Sequence, residues 1–289
     1  MNIYLDTMLW NVLCDQGADP NRLIASLAAR DANLVLSPHT AFELAQTFEK
    51  DPQRAKTLFS YVREFVLANV PCMKEISNIL EAEMLALRSP TLAVSPFLPP
   101  ENYGEFRRDV EGLAGGDFDE RANEFVRVRS SLGLTARSGP AGQLRNDVSQ
   151  RLRGVAPADL ERWMETEIMS PQGVTILTEQ IRRQFPEAPL EEAVSWAVPL
   201  LTSPTCRLAR GLVCADLYFN WRWVHRGSLP RDLYHDMYHV LISTYCEIYA
   251  TKESRQAEYA GLLLTPRTRV AIYDGQNSLD GWLAALVQP

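Results

Sequence analysis

An α/β fold built on a parallel sheet is predicted by three observations. Short apolar, β-rich runs alternate with helix-patterned stretches at both ends of the chain, the order that places helices on the faces of a parallel sheet. Between those ends, residues 71–204 read as helix and loop only. The composition is that of a folded globular chain: of 289 residues, 46% are hydrophobic and 22% charged, which excludes a disordered or collagen-like chain.

The elements follow in order. Asn2-Ile3-Tyr4-Leu5 is a first strand, and apolar Leu9, Val12 and Leu13 at helical spacing place a helix over 7–16. Asn33-Leu34-Val35-Leu36 is a second strand, ended by Ser37-Pro38 and followed by a helix over 40–50. Helices are expected over 75–87, 104–113, 159–169 and 190–201, with a Gly-Ser-rich loop at Ser138-Gly139-Pro140-Ala141-Gly142. Glu247 to Thr251 is the next strand, with a helix over 253–264, and Arg269 to Tyr273 the last. Segments 1–70 and 205–289 together make roughly 155 residues, an ordinary single-domain length, interrupted by the helical insertion 71–204.

Several functional classes fall away at this level. The net charge of −7 gives no global field to attract nucleic acid, so any such binding needs a local basic patch or a cation. No run of ~18 apolar residues is present, so no transmembrane helix is expected. The start, Met1 to Asp6, lacks the pattern of a signal peptide. Cys14, Cys72, Cys206, Cys214 and Cys246 form no C-x-x-C pair and are odd in number, which reads as reduced thiols in a cytoplasmic protein.

Ligands of open parallel sheets bind beyond the carboxyl ends of the strands, and acids recur at that edge here. Asp6 follows the first strand, Glu43 lies early in the helix after the second, Asp232 and Asp236 lie near the start of a helix opened by Ser228-Leu229-Pro230, and Glu253 follows the third strand. Each alone is explained by the helix dipole, which favours acids in a first turn by ~0.3–1 kcal/mol. Four connections bringing carboxylates to one edge is a different matter. Such groups stay ionised together only beside a cation, and oxygen ligands suit Mg²⁺ or Mn²⁺.

At these residues the chain resembles the PIN-domain (VapC-like) metal-dependent nucleases. The resemblance rests on Ile3-Tyr4-Leu5-Asp6-Thr7-Met8, on Leu36-Ser37 followed by Phe42-Glu43-Leu44, and on Asp236, His239, Tyr245-Cys246-Glu247 and Thr251-Lys252-Glu253, with a last strand from Val270 to Asp274. Met8 stands where that family has Asn, and Glu253 where it has Asp. The resemblance covers the two ends of the chain and implies a PIN-like three-layer domain interrupted by an all-helical insertion. It further implies a Mg²⁺- or Mn²⁺-dependent endoribonuclease with Asp6, Glu43, Asp236 and Glu253 as metal-binding catalytic acids. Thr7, Asp232, His239, Glu247 and Thr251 would support them, and whether Glu253 or Glu247 completes the set stays open. The partner would be RNA, with a regulatory protein or a second copy as further possibilities and no membrane. The alternative is a non-catalytic PIN-like module that binds RNA or a protein.

Three other signals compete. His235-Asp236-Met237-Tyr238-His239 spaces two histidines as in zinc hydrolases, but no third ligand follows at a familiar spacing. His239 is therefore expected to pack or hydrogen-bond beside the acids, and His235 to lie on the surface. The stretch 127–153 carries Arg127, Arg129, Arg137, Arg145, Arg151 and Arg153 against the single acid Asp147, a local charge of +5. It suits either an RNA backbone or pairing with Glu105, Glu120 or Glu161. Tyr218, Phe219, Trp221 and Trp223 fit base stacking or an apolar core.

Overall fold

A computed structural model describes residues 1–89, 91–99, 101–116, 152–227, 229, 233–264 and 267–288. Four strands, β1 (Asn2–Leu5), β2 (Asn33–Val35), β3 (Ile248–Thr251) and β4 (Arg269–Ile272), form one sheet in the order β2-β1-β3-β4. All three pairings are parallel, with Ile3 opposite both Leu34 and Ile248, and Ala250 opposite Ala271. The α/β class and the parallel sheet are as the sequence predicts. Among the described residues 71–204 there is no strand of the sheet, only single bridges from Cys72 to Leu36 and from Met73 to Phe97.

Helices cover both faces of the sheet. Side chains alternate along a strand, and here the alternation separates two cores. Ile3, Leu5, Leu34, Ile248, Ala250 and Ala271 face one side. There they meet α1 (Thr7–Asp15), α2 (Pro20–Ala28), α3 (Pro38–Ala45), α4 (Pro52–Leu67), α6 (Tyr103–Gly115) and α13 (Leu279–Leu286). Tyr4, Val35 and Tyr249 face the other. That side is packed by α5 (Ile76–Arg88), α7 (Leu160–Ile168), α8 (Pro171–Gln184), α9 (Leu190–Thr202), α10 (Arg207–Arg226), α11 (Leu233–Ile242) and α12 (Ser254–Leu263). The described helices of 71–204 thus divide between the two faces, α6 on one and α5 and α7 to α9 on the other.

Four helices begin with the same local device. Asp19-Pro20, Ser37-Pro38, Asp51-Pro52 and Ser170-Pro171 each put a capping oxygen before a proline, and each cap accepts a backbone N–H of the first turn. Proline has no N–H to leave unpaired there and its φ already suits a helix. This device starts α3 at Pro38, two residues before the periodicity alone predicts. It also marks α2, α4 and α8, which hydrophobic spacing did not single out.

Tyr218 and Trp221 of α10 are buried, the Trp221 indole donating to the Val155 carbonyl at 2.9 Å, while Trp223 is exposed. The aromatic cluster is therefore mainly core. All five cysteines are unpaired.

Candidate functional site

The site lies at the carboxyl edge of the sheet, where β1 and β3 run into α1 and α12 and where α3 and α11 meet. Asp6 ends β1 and caps α1, its Oδ1 accepting the Leu9 N–H at 2.9 Å. The capping role and the site role coexist because the two oxygens do different things: Oδ2 faces Thr251, whose hydroxyl contacts it directly at the end of β3. Thr251 Oγ1 also lies 2.9 Å from Gln256 Oε1 and accepts the Glu253 N–H at 3.0 Å. Gln256 in turn donates through Nε2 to Asp236 Oδ1 at 2.9 Å and accepts from the Tyr249 hydroxyl at 3.0 Å. Two carboxylates from distant parts of the chain are thus joined by a threonine and a glutamine.

Burial dominates at both of those acids, although the charge of His239 on Asp6 and of Arg255 on Asp236 opposes it. Burial raises the pKa of Asp6, against hydrogen bonds from Thr251 and Leu9 that lower it. Burial also pushes Asp236 up to about 6, with Glu253 and Glu43 adding to the rise and the Gln256 hydrogen bond opposing it. Burial disfavours the ionised form, and neighbouring acids add repulsion. A hard dication would relieve both effects, but the group of three potential metal ligands that the described residues bring together is His39, Glu43 and His239, not these acids.

Glu43 has a different partner. His39 and Glu43 stand at i and i+4 on α3, and His235 and His239 at i and i+4 on α11, so each helix presents a pair on one face. Glu43 Oε2 meets His239 Nε2 at 2.7 Å, while Oε1 lies 3.7 Å from His39 Nε2 and 3.9 Å from His235 Nδ1. Thr7 Oγ1 lies 3.0 Å from the same His239 nitrogen, and Tyr4 OH 2.7 Å from Nδ1. Tyr4 is held in turn by Ser37 Oγ at 2.8 Å. Burial works to raise the Glu43 pKa, but the adjacent imidazole of His239 outweighs it and holds the carboxyl well below the usual range. Burial works to lower His239, and Glu43 outweighs it in the opposite direction. Each partner thus favours the charged form of the other.

His39 behaves otherwise. Burial, and the charge of His239 after it, holds its pKa well below the ordinary 6.5, so it is neutral. Its ring stacks on His235, packs at 4.2 Å centroid separation on Tyr238, and meets the His239 ring edge-on at 4.6 Å. Its Nε2 is buried and makes no hydrogen bond.

The predicted site residues are placed as follows. Asp6, Asp236 and Thr251 share one network, Glu43, Thr7 and His239 share another, and Glu253 sits partly exposed at the start of α12. Glu247 lies at the opposite end of β3 and is exposed, its carboxylate accepting the Asn2 N–H at 2.5 Å. Asp232 lies outside the described residues, as do Arg127, Arg129, Arg145 and Arg151, while Arg153 is exposed.

One expectation is overturned and one residue was missed. His235 is buried, not on the surface, because α11 turns that side of the helix onto α3. His39 was passed over because a third ligand was sought after His239 in sequence, whereas it comes from a helix some two hundred residues earlier. The signal was present: His39 and Glu43 have the same i, i+4 spacing as His235 and His239. Among the described residues, His39, Glu43 and His239 form the group whose potential ligand atoms all lie within 4.8 Å of one another.

Fold and site define an α/β protein with a four-stranded parallel sheet and a buried histidine–carboxylate cluster at its carboxyl edge. No family model, no curated protein and no solved structure matches the chain.

Proposed function

We propose that this protein is a metal-dependent endoribonuclease that hydrolyses phosphodiester bonds at the carboxyl edge of its sheet. The observation that carries the reading is the convergence of Asp6 and Asp236, from separate connections, on Thr251 and Gln256, with Glu43 and Glu253 close enough to raise the pKa of Asp236. That arrangement supports the PIN-domain resemblance of the sequence, and with it RNA as the substrate.

Asp6, Asp236, Glu43 and Glu253 would hold Mg²⁺ or Mn²⁺. Such an ion, when bound, activates water and neutralises charge developing on a phosphate. The chain's own groups set up the rest. Leu9 N–H and Thr251 fix the Asp6 carboxylate, Gln256 fixes that of Asp236, and Tyr4 orients His239 beside Glu43. His239 is buried between Glu43 and Thr7, so it acts by holding the Glu43 carboxylate in place. The arginines of 127–153 supply the positive charge that an acidic protein needs to retain RNA.

Single-turnover cleavage of a generic RNA with Mn²⁺ tests the reading. Asp6→Asn and Asp236→Asn should each remove most activity while the protein remains folded, and excess EDTA should abolish it. Changing Arg145 and Arg151 together should weaken binding and flatten its salt dependence, because fewer counterions are released. Undiminished cleavage by Asp236→Asn, or in EDTA, refutes the proposal.

A further inference from the structure

The geometry points to a second kind of metal chemistry at this edge: His39, Glu43 and His239 form a site for Zn²⁺ or another first-row dication that prefers imidazole. It goes beyond the nuclease reading and stands whether or not RNA is the substrate. Glu43 is shared with the oxygen set of the nuclease reading, whereas Asp6 and Asp236 belong to that set alone.

Three observations support it. First, the donor atoms all lie within 4.8 Å of one another, and they come from two helices that each present an i, i+4 pair. A metal–nitrogen bond is ~2.0–2.1 Å, so atoms this close need only small side-chain rotations to share one ion. Facing helices commonly build metal sites from such pairs.

Second, His39 Nε2 is a buried ring nitrogen with no hydrogen bond, on a side chain only 7% exposed, and it lies 3.7 Å from the Glu43 carboxylate. Buried polar atoms are nearly always paired. Leaving this one unpaired is costly, and an ion at this point would pair it. The rings of Phe42, His235, Tyr238 and His239 pack around it.

Third, His239 already has the outer partner that metal-bound histidines require. With Nε2 on an ion, Nδ1 donates to the Tyr4 hydroxyl at 2.7 Å, which passes its own proton toward Ser37. Such partners fix ring orientation and raise ligand basicity. The ion takes the place of the proton now between His239 and Glu43, and that proton leaves to solvent, since ligands bind deprotonated.

Two nitrogens and a carboxylate are a borderline donor set. Imidazole suits Zn²⁺, Cu²⁺, Fe²⁺ and Ni²⁺, whereas Mg²⁺ and Mn²⁺ favour oxygen and water. His235 Nδ1 lies 3.9 Å from Glu43 Oε1 but is not one of the three clustered ligands.

The test uses untagged full-length protein freed of metal with EDTA, and Co²⁺ as the probe. We expect one equivalent of Co²⁺ to give visible d–d absorption bands, displaced by stoichiometric Zn²⁺ and not by a thousandfold excess of Mg²⁺. His39→Gln, checked by circular dichroism for intact fold, should weaken Co²⁺ binding by more than the ~10–100-fold that loss of an outer partner costs, and Tyr4→Phe should fall within that range. Asp236→Asn should leave the bands unchanged. Absence of bands in the wild-type protein overturns the inference without needing any variant. So do bands that persist in His39→Gln but vanish in Asp236→Asn. Mn²⁺-dependent RNA cleavage alongside either result would leave the nuclease reading intact.

Discussion

Glu43 and His239, 196 residues apart in sequence, meet at 2.7 Å between α3 and α11 and set each other's charge. The contact is nearly shielded from water, with His239 only 1% exposed. Removing either member leaves the other charged and poorly solvated, which is the costly way to break such a pair.

Glu43→Gln should therefore destabilise the metal-free protein, by up to about 3–5 kcal/mol, with a pH dependence that identifies the pair. His239 titrates above its ordinary 6.5 when folded, so its share of stability is full below 6.5 and is lost as pH rises through the raised value. Glu43 titrates below its ordinary 4.5, so its share is present above 4.5 and is lost as pH falls. The difference between wild type and variant should peak between pH 4.5 and 6.5. Urea unfolding across pH 4 to 9 measures it; a difference that is flat over that range would show the pair is not ionic.

Asp236→Asn should act in the opposite direction. Its folded pKa of about 6 exceeds the ordinary 3.8, so the ionised group opposes folding above pH 6. Removing that charge should raise stability at pH 7 by no more than ~3 kcal/mol, and the gain should fade as pH falls from 6 toward 3.8. Thermal melts of the metal-free protein at pH 4 and pH 7.5 make the comparison. A lower Tm for the variant at both pH values would mean that Asp236 is structural.

How much of this was legible in the sequence depends on distance along the chain. The strands were legible because apolar runs at Asn2–Leu5 and Ile248–Thr251 are bounded by sharp breaks, and their positions carried Asp6 and Glu253 to one edge. The meeting of Glu43 with His239 was not, because nothing in either helix records which element it will face. Gln256 was missed for a related reason: a neutral amide has no charge pattern to draw notice, yet it positions Asp236. His39 shows the limit most clearly, since its role depends wholly on α11 packing against α3.

Glu83 is a structural acid that no sequence pattern announces. Its carboxylate, carried on α5, accepts the N–H groups of Leu208 at 2.6 Å and Ala209 at 3.0 Å, and it contacts the Tyr245 hydroxyl. It thereby caps α10 from outside that helix, supplying what the residue before the helix, Cys206, does not. Glu83→Ala should cost ~1–3 kcal/mol for each donor it strands. Glu83→Gln, which keeps one acceptor oxygen, should cost less. A Glu83→Ala variant as stable as wild type in urea would remove the cap from the account of this fold.

Thr251 offers the sharpest test of how Asp6 is held. Its hydroxyl has one proton, and it faces two oxygens, Asp6 Oδ2 and Gln256 Oε1, while accepting the Glu253 N–H. With Asp6 ionised, the proton goes to Asp6; with Asp6 protonated, Asp6 donates to Thr251, which then donates to Gln256. Thr251→Val has nearly the same shape and can do neither. It leaves the buried Asp6 carboxylate with the Leu9 N–H alone, so the Asp6 pKa, already raised by burial, should rise further. At pH 7.5 the substitution should cost about 1–3 kcal/mol. In an Asp6→Asn background no carboxylate remains to be stranded, so the cost should shrink, giving a coupling of ~0.5–3 kcal/mol in the double-mutant cycle. Strictly additive effects would show that Thr251 supports the strand end and not Asp6. With coupling established, Thr251→Val should also weaken Mn²⁺ binding at neutral pH and regain it at higher pH, because the ion must compete with a more tightly held proton on Asp6.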